Sequence, residues 1–238
     1  MQDEDLKFLA NCSNEELNFL VEIILDKGHV TEMLSIDDTF KENQPNHLAY
    51  IDKIEQEILT FGGNSFKNLI GLTPTYKEIL IIVCKKMKVN FDEEDNVETI
   101  EENLLAEVSE QCWNDLSEDD QKALIQTLDI TTDMNKNKGA VTFLTIFKMG
   151  GLKSYKLSLY LINFLSQMIF KRGLSLAANA TLARTISIIT GPIGWTITAI
   201  WTAVDIAGPA YRVIVPLVIY ISALRKIHNH DNDIEVIE

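Results

Sequence analysis

The 238-residue sequence predicts an all-α fold, and three observations support this prediction. Apolar residues recur every three or four positions along most of the chain, which is the spacing of one face of an α-helix. Serine, threonine or proline stands where several of these patterns begin, and no segment alternates apolar and polar residues as a half-buried strand does. We therefore predict a multi-helix N-terminal domain followed by a hydrophobic C-terminal helical domain punctuated by glycine and proline.

The first part of the chain carries the clearest helix starts. Ser13 is followed three residues later by Glu16, the pairing of a capping box, and apolar residues then recur at helical spacing over residues 17–24. Ser117 and Asp120 make a similar pair just before another apolar pattern. These signals predict that one helix begins just after each serine.

Two further boundaries are predicted in the middle of the chain. Thr73 and Pro74 suit the N-cap and the first position of a helix that continues to Met87. The end of this helix carries cations that favour a negative helix terminus, namely Lys85, Lys86 and Lys88. The glycines of the segment FGGNSF, residues 61–66, predict the end of one helix, because glycine adopts the left-handed C-cap conformation without strain.

Charge divides the chain into parts. Residues 1–138 hold 12 basic and 30 acidic residues, whereas residues 139–230 hold 9 basic residues and 1 acidic residue. Seven of the 11 glycines also fall in the second part. This asymmetry predicts an acidic helical domain over residues 1–138, a basic hydrophobic helical domain over residues 139–230 and an acidic tail over residues 231–238.

Two apolar stretches dominate the second part. Residues 185–204 are uncharged, and this length is about that of a helix that crosses a bilayer core. The pair Gly191-Pro192 interrupts the stretch, so a continuous spanning helix is not predicted. A second apolar stretch covers residues 213–224 and contains Pro216. Two interpretations stay open, a soluble helical core or a hydrophobic hairpin of both stretches that inserts into a bilayer.

Residues 152–172 predict an amphipathic helix with one polar stripe. The members of the stripe recur at helical spacing and are Lys153, Lys156, Asn163, Gln167 and Lys171. A helix of this kind lies at a membrane interface with its lysines near anionic lipid, or it packs between other helices with one edge in water. The pattern by itself allows both arrangements.

Composition argues against several classes of function. The chain has 21 basic and 35 acidic residues and no dense basic stripe, so we predict no nucleic-acid binding. Its three cysteines match no CxxC spacing and its four histidines match no HExxH spacing, so we predict no metal site. Each cysteine, such as Cys84, has apolar neighbours and is predicted to be a buried small hydrophobe. No nucleotide-binding or nucleophile motif occurs, and we predict no catalytic residue, no cofactor and no enzyme activity.

An acidic run covers residues 91–102. Its carboxylates would bind a divalent ion only if their oxygens converged, and a linear pattern gives no sign of convergence. Runs of like charge are usually solvated. We therefore interpret this run as an exposed acidic loop that leads into a helix.

The basic excess of the second part favours contact with a membrane, because an anionic leaflet attracts each nearby basic residue by about 1 kcal/mol. Tryptophan and tyrosine add side chains that suit a membrane interface or a protein partner. The residues predicted to make membrane or partner contacts are Lys153, Lys156, Lys171, Arg172, Trp195, Trp201, Tyr211 and Arg212.

Three segments together resemble one known family. They are DLKFLANCSNEEL near the start, FGGNSF with TPTYKEILIIVCKKMKV in the middle, and GPAYRVIVPLVIYISALRK near the end. In this order, and over nearly the full length, they resemble the YaaW-like family of uncharacterised bacterial proteins. Part of that family is grouped with the ubiquinol-cytochrome c chaperones, an all-helical group. The resemblance implies a helical fold and a chaperone-like or membrane-linked role, and it supplies no catalytic residues.

Together these observations predict a non-enzymatic helical protein of the bacterial cytoplasm that associates with the inner membrane. Acidic residues at the N-terminus, where a secretory signal has positive charge, argue against export. The predicted partner is a membrane surface or a membrane-bound protein, and self-association into a homo-oligomer stays open. The alternatives are a pore-forming effector, in which the N-terminal domain shelters the hydrophobic hairpin, and a wholly soluble interaction protein.

Overall fold

The computed structural model describes residues 3–28, 34–66, 73–129, 140–170 and 209–235. Within these ranges the chain is helical and forms no β-strand, which confirms the predicted all-α class. Short 3-10 helices cover Glu4–Asn11, Leu34–Ile36 and His47–Tyr50. The α-helices of the described residues are α1 (Asn14–Gly28), α2 (Asp38–Asn43), α3 (Ile51–Phe66), α4 (Tyr76–Met87), α5 (Val97–Asp115), α6 (Glu118–Thr127), α7 (Ala140–Met149), α8 (Gly151–Phe170) and α9 (Pro209–Glu235).

The chain forms two compact units. Unit 1 consists of Met1–Lys88 and Ala203–Ile219, and unit 2 consists of Val89–Thr202 and Tyr220–Glu238. Helices α1 to α4 thus belong to unit 1 and helices α5 to α8 to unit 2, whereas α9 contributes residues to both. The domain boundary predicted near residue 138 falls outside the described residues and stays a prediction.

Side-chain caps order the N-terminal end of unit 1. Glu16 Oε2 accepts a hydrogen bond from the backbone N–H of Ser13 at 2.7 Å, and Ser13 Oγ accepts one from the N–H of Glu16 at 3.3 Å. The predicted capping box is therefore confirmed. One carboxylate oxygen of Asp3 caps the first 3-10 helix, and the other accepts from the N–H of Tyr76 at 2.9 Å. Asp3 thereby ties the start of the chain to the start of α4.

Helix α4 begins two residues later than the sequence predicts. Its N-cap is Thr75, and Glu78 completes a reciprocal capping box with it, so the predicted cap at Thr73 is wrong. The physical reason is that a glutamate three residues after the cap satisfies a second backbone donor at the helix end. The predicted lysines do lie in the last turn, and Lys88 closes the helix in the left-handed conformation, with φ of 59°.

Helix α3 continues through the two glycines that the sequence predicts to end it. It runs to Phe66 and includes Gly62 and Gly63. A Cβ atom on Gly62 would overlap the side chain of Ile79 in α4, so the missing side chain lets the two helices pack closely. Glycine within a helix costs about 1 kcal/mol relative to alanine. Close packing of α3 against α4 offsets this cost, and the predicted helix end is wrong.

In unit 2, α5 packs along α7, and α7 packs on α8. Trp113 of α5 meets Phe143 of α7 edge-on, with ring centroids 6.1 Å apart, so these two rings help to pack the helices together. Ser117 Oγ accepts from the N–H of Asp120 at 3.2 Å, and the cap predicted for α6 is also confirmed.

Helix α8 has the single polar stripe that its sequence predicts. Most of its circumference is buried, including the serines and tyrosines of its first half. Lys153 is exposed, and the stripe residues Lys156, Asn163 and Gln167 are partly exposed. The last predicted member, Lys171, lies outside the described residues. The helix therefore packs within unit 2 and keeps one edge in water.

Helix α9 contains the second apolar stretch of the predicted hairpin. Every residue from Val213 to Ile227 is buried, and Pro216 lies inside the helix. A helix that is buried around its whole circumference is typical of a protein core. The first stretch, residues 185–204, lies outside the described residues, so the hairpin as a whole stays a prediction. Among the helices that the structure describes, none is both long and apolar enough to cross a bilayer.

Two ion pairs join α5 to the last part of α9 in unit 2. Arg225 Nε donates to Glu101 Oε2 at 2.8 Å, and the two side chains are 10% and 0% exposed. Lys226 Nζ donates to Glu102 Oε1 at 2.5 Å. The acidic run of residues 91–102 was predicted to be exposed, and this is wrong at its C-terminal end. There Glu101 and Glu102 are removed from water together with the cations that pair with them.

Candidate functional site

The structure describes four of the eight residues predicted to make membrane or partner contacts. In unit 2 they are Lys153 and Lys156 of α8, and in unit 1 they are Tyr211 and Arg212 of α9. The other four lie outside the described residues and stay predictions, namely Lys171, Arg172, Trp195 and Trp201. The described residues therefore fall at two places, one in each unit.

The place in unit 2 is a turn of two glycines that joins α7 to α8. Gly150 and Gly151 both have positive φ, at 64° and 67°. The N–H of Gly150 donates to the carbonyl oxygens of Ile146 and Phe147, each at 3.2 Å, and so closes α7. Two successive residues in this conformation require glycine, because a Cβ atom is disfavoured there. The pair turns the chain sharply and leaves its flanking residues at the surface.

Those flanking residues are apolar and exposed. Met149 is 78% exposed and Leu152 is 50% exposed. Lys148 and Lys153, the next residues outward on each side, are exposed as well. We call residues 148–153 the α7–α8 tip. An apolar pair bordered by cations is the composition of surfaces that contact a membrane interface or a protein partner.

The exposure of the α7–α8 tip contrasts with the packing of the helices behind it. The apolar residues next along α7 and α8 are buried, namely Phe143, Ile146, Phe147, Tyr155 and Leu157. Among the large hydrophobic residues of the described part, Met149 has the greatest exposed fraction. The tip is therefore a local feature at the end of a well-packed helix pair.

Lys156 already has a role inside unit 2. Its Nζ donates to the carbonyl oxygen of Thr127 at 3.0 Å, at the end of α6. A lysine in this position neutralises the negative end of a helix. The hydrogen bond to Thr127 does not test the predicted contact of Lys156 with a membrane, which stays a prediction.

The place in unit 1 is the first turn of α9. Lys86 Nζ lies 5.3 Å from the centroid of the Tyr211 ring, which is cation–π distance. Tyr211 is partly buried and Arg212 is exposed. The sequence predicts contacts by Tyr211 and Arg212 but gives no sign of Lys86 beside them, because that lysine comes from a distant part of the chain.

A partly buried chain of hydrogen bonds in unit 1 joins α1 to the 3-10 helix His47–Tyr50. Asn18 donates to Glu22 Oε1 at 2.9 Å through its amide nitrogen, so its carbonyl oxygen faces His47 Nε2, at 3.1 Å. Nε2 must therefore carry the proton, and Nδ1 accepts from the Tyr50 hydroxyl at 2.5 Å. Burial lowers the pKa of His47, and the nearby Glu22 carboxylate opposes part of that shift.

We expect the stability of the protein to fall as the pH is lowered below about 6.5, because the unfolded chain then takes up a proton at His47 that the folded chain resists. The free energy of unfolding should lose this contribution as the pH passes down through the depressed folded pKa. Urea titrations at a series of pH values measure the effect, and His47→Gln should flatten the profile. An unchanged profile in this variant would contradict the expectation.

The described cysteines are buried, as the sequence predicts for a small hydrophobe. Cys12, Cys84 and Cys112 are all free thiols. Burial raises the pKa of the Cys112 thiol, and Asp115 raises it further. The thiolate is the nucleophilic form of cysteine, so Cys112 is held in its unreactive state.

Of the residues in the α7–α8 tip, Lys153 was predicted from the polar stripe, whereas Lys148, Met149 and Leu152 were not predicted. A signal for them was present in the segment KMGGLK, residues 148–153, because a glycine pair marks a turn and turns seldom carry large apolar residues. Their exposure follows from the left-handed conformation of both glycines, which only the folded chain displays.

Comparison with known proteins places the chain in a family. The domain of unknown function DUF3944 matches residues 1–27. A UPF0174 protein of Helicobacter pylori strain J99 is 39% identical over 231 residues, which cover 94% of this chain and 91% of that protein. A UPF0174 protein of Helicobacter pylori strain 26695 is 32% identical over 82% of this chain and 97% of its own length.

A more distant relative supports the resemblance found in the sequence. The UPF0174 protein YaaW of Escherichia coli K12 is 27% identical over 239 residues, and the match covers 95% of each chain. No solved structure matches the chain. The predicted resemblance to YaaW-like bacterial proteins is therefore confirmed, and the chain belongs to the UPF0174 family.

Proposed function

We propose that this chain is a non-enzymatic helical protein that docks peripherally on the anionic cytoplasmic face of the inner membrane through its α7–α8 tip. The observation that carries the proposal is the exposure of Met149 and Leu152 between two exposed lysines. Insertion of the two apolar side chains among the acyl chains would remove them from water, while Lys148 and Lys153 would stay at the headgroup level.

The energetics are adequate for reversible binding. Full burial of a methionine or leucine side chain contributes about 1.5–3 kcal/mol, and these two side chains are 78% and 50% exposed before binding. Each lysine near an anionic surface adds about 1 kcal/mol. The sum suits a peripheral contact that forms and dissociates, which fits a chain whose described helices include none able to cross a bilayer.

Local charge permits this contact although the whole chain is acidic. The net charge is −14, which would repel an anionic surface. Within the α7–α8 tip itself the charged residues are Lys148 and Lys153, both basic and both exposed. Because salt screens charges over about 8–10 Å, the sign near the tip decides the interaction at the surface.

The double variant Met149→Ser/Leu152→Ser should bind membranes about thirtyfold more weakly than the native chain, which corresponds to a loss of about 2 kcal/mol. The measurement is flotation of the full-length chain with vesicles of phosphatidylcholine and phosphatidylglycerol in equal amounts. Both residues are exposed, so the far-UV circular dichroism and the unfolding midpoint should stay unchanged.

The chain offers a matched control in the other exposed apolar residues of its described part. Ile36 and Leu48 are 59% and 41% exposed and lie in unit 1. Ile36→Ser/Leu48→Ser removes a similar apolar area and should leave flotation unchanged. An equal loss in both double variants, or no vesicle binding by the native chain, would refute docking through the α7–α8 tip.

A further inference from the structure

A second group of cations lies in unit 1, where the end of α4 meets the first turn of α9. The contact of Lys86 with the Tyr211 ring, at 5.3 Å, brings these two chain segments together. Lys88 is two residues after Lys86 and Arg212 is the residue after Tyr211, so the Cα atom of each lies within about 8 Å of a residue of the contact. Lys88 and Arg212 are exposed. We call these four residues the α4–α9 cluster.

No carboxylate of the described residues pairs with the cations of this cluster. By contrast, the exposed lysines Lys7, Lys41 and Lys122 each have an acidic partner one helical turn away. Acidic residues outnumber basic ones by 35 to 21 in this chain, so most cations can find a partner. Among the residues that the structure describes, Lys86, Lys88 and Arg212 have no acidic partner, so their charges are available to an external anion.

The setting of the cluster favours a lipid headgroup over other anions. Tyr211 is partly buried, and the fully buried apolar stretch of α9 begins two residues later, at Val213. The ring of a tyrosine and the charges of exposed lysine and arginine side chains suit the headgroup region of a bilayer, where anionic phosphates attract cations. The guanidinium of Arg212 can donate two parallel hydrogen bonds to a phosphate, and lysine ammonium groups add point charges to it.

We propose that the α4–α9 cluster binds the phosphate of an anionic phospholipid headgroup. The cluster gives unit 1 its own preference for anionic lipid, separate from the apolar insertion of the α7–α8 tip. This inference rests on the proposed function, because a bilayer surface is what presents such headgroups to the protein.

The test compares the full-length chain on vesicles of pure phosphatidylcholine and on vesicles with equal amounts of phosphatidylcholine and phosphatidylglycerol. The variant Lys88→Gln/Arg212→Gln should reduce partitioning onto the mixed vesicles about tenfold or more and leave partitioning onto pure phosphatidylcholine nearly unchanged. Lys86 is kept, so that its contact with Tyr211 is preserved. An unchanged unfolding midpoint shows that the variant is folded.

A matched control removes the same charge elsewhere. Lys7→Gln/Lys122→Gln alters two exposed lysines that pair with Glu4 and Asp119. This control should retain the preference for mixed vesicles. If the control lost as much of the preference for mixed vesicles as Lys88→Gln/Arg212→Gln does, the preference would come from the overall charge of the protein and not from the α4–α9 cluster. That result would overturn the inference.

Other outcomes separate this inference from the proposed function. If the native chain binds neither kind of vesicle, the proposed function fails and the inference fails with it. If the native chain binds both kinds equally, the anionic preference stated in the proposed function fails together with the inference. If Lys88→Gln/Arg212→Gln keeps the preference of the native chain for mixed vesicles, the inference alone fails. Binding of a polyglutamate peptide that is lost in this variant would assign the cluster to an acidic protein partner and overturn the lipid assignment.

Discussion

Replacement of Glu101 by alanine is expected to lower the free energy of unfolding by about 3–5 kcal/mol. Glu101 is fully buried, and the side chain of its partner Arg225 is 10% exposed. The substitution removes the carboxylate to which the buried Arg225 Nε donates, and breaking a buried ion pair from one side is among the most costly changes in a folded protein. Guanidinium chloride unfolding of the full chain, followed by far-UV circular dichroism, measures the loss.

A double variant separates the cost of an unpaired charge from the value of the ion pair. Glu101→Leu/Arg225→Leu removes both charges and should recover most of the stability lost by Glu101→Ala, because hydrophobic replacement of a buried pair is often close to neutral. The matched control is Lys122→Ala, which breaks an exposed pair with Asp119 and should cost less than about 1 kcal/mol. If Glu101→Ala lowered the free energy of unfolding by no more than Lys122→Ala does, the Glu101–Arg225 pair could not be buried as the structure shows.

The variant Gly62→Val is expected to lower the free energy of unfolding by about 3 kcal/mol, the upper range for overpacking. The Cβ of valine would overlap the side chain of Ile79, and its two methyl groups would enlarge the conflict. Helices α3 and α4 must then separate or Ile79 must leave its rotamer. The measurement is again chemical unfolding of the full chain.

The neighbouring glycine supplies the control for Gly62. A Cβ on Gly63 would lie 3.3 Å from Pro74 Cδ, a tight contact that a small shift relieves. Gly63→Ala should therefore be nearly neutral, since the gain of about 1 kcal/mol in helix propensity balances the contact. Gly62→Ala should still destabilise, and Ile79→Ala introduced with it should cost less than Ile79→Ala alone. Equal effects of alanine at the two glycines would contradict the proposed close approach.

Part of the candidate site could be predicted from the sequence. Lys153 follows from helical spacing, and Tyr211 and Arg212 follow from their position beside an apolar stretch. Met149 and Leu152 were missed because hydropathy assigns such residues to a core unless a turn is shown to expose them. The partnership of Lys86 with Tyr211 had no local signal, because the two residues meet only after α4 and α9 pack.

The sequence by itself determined the helical class, the caps at Ser13 and Ser117 and the single polar stripe of α8. These features depend on hydrogen bonds and side-chain spacings that span three or four residues, so they are visible in the order of residues. Only the tertiary structure decided that α3 passes through Gly62 and that Glu101 pairs with Arg225. Both outcomes depend on contacts between segments far apart in the chain, where packing and loss of water outweigh a local preference of about 1 kcal/mol.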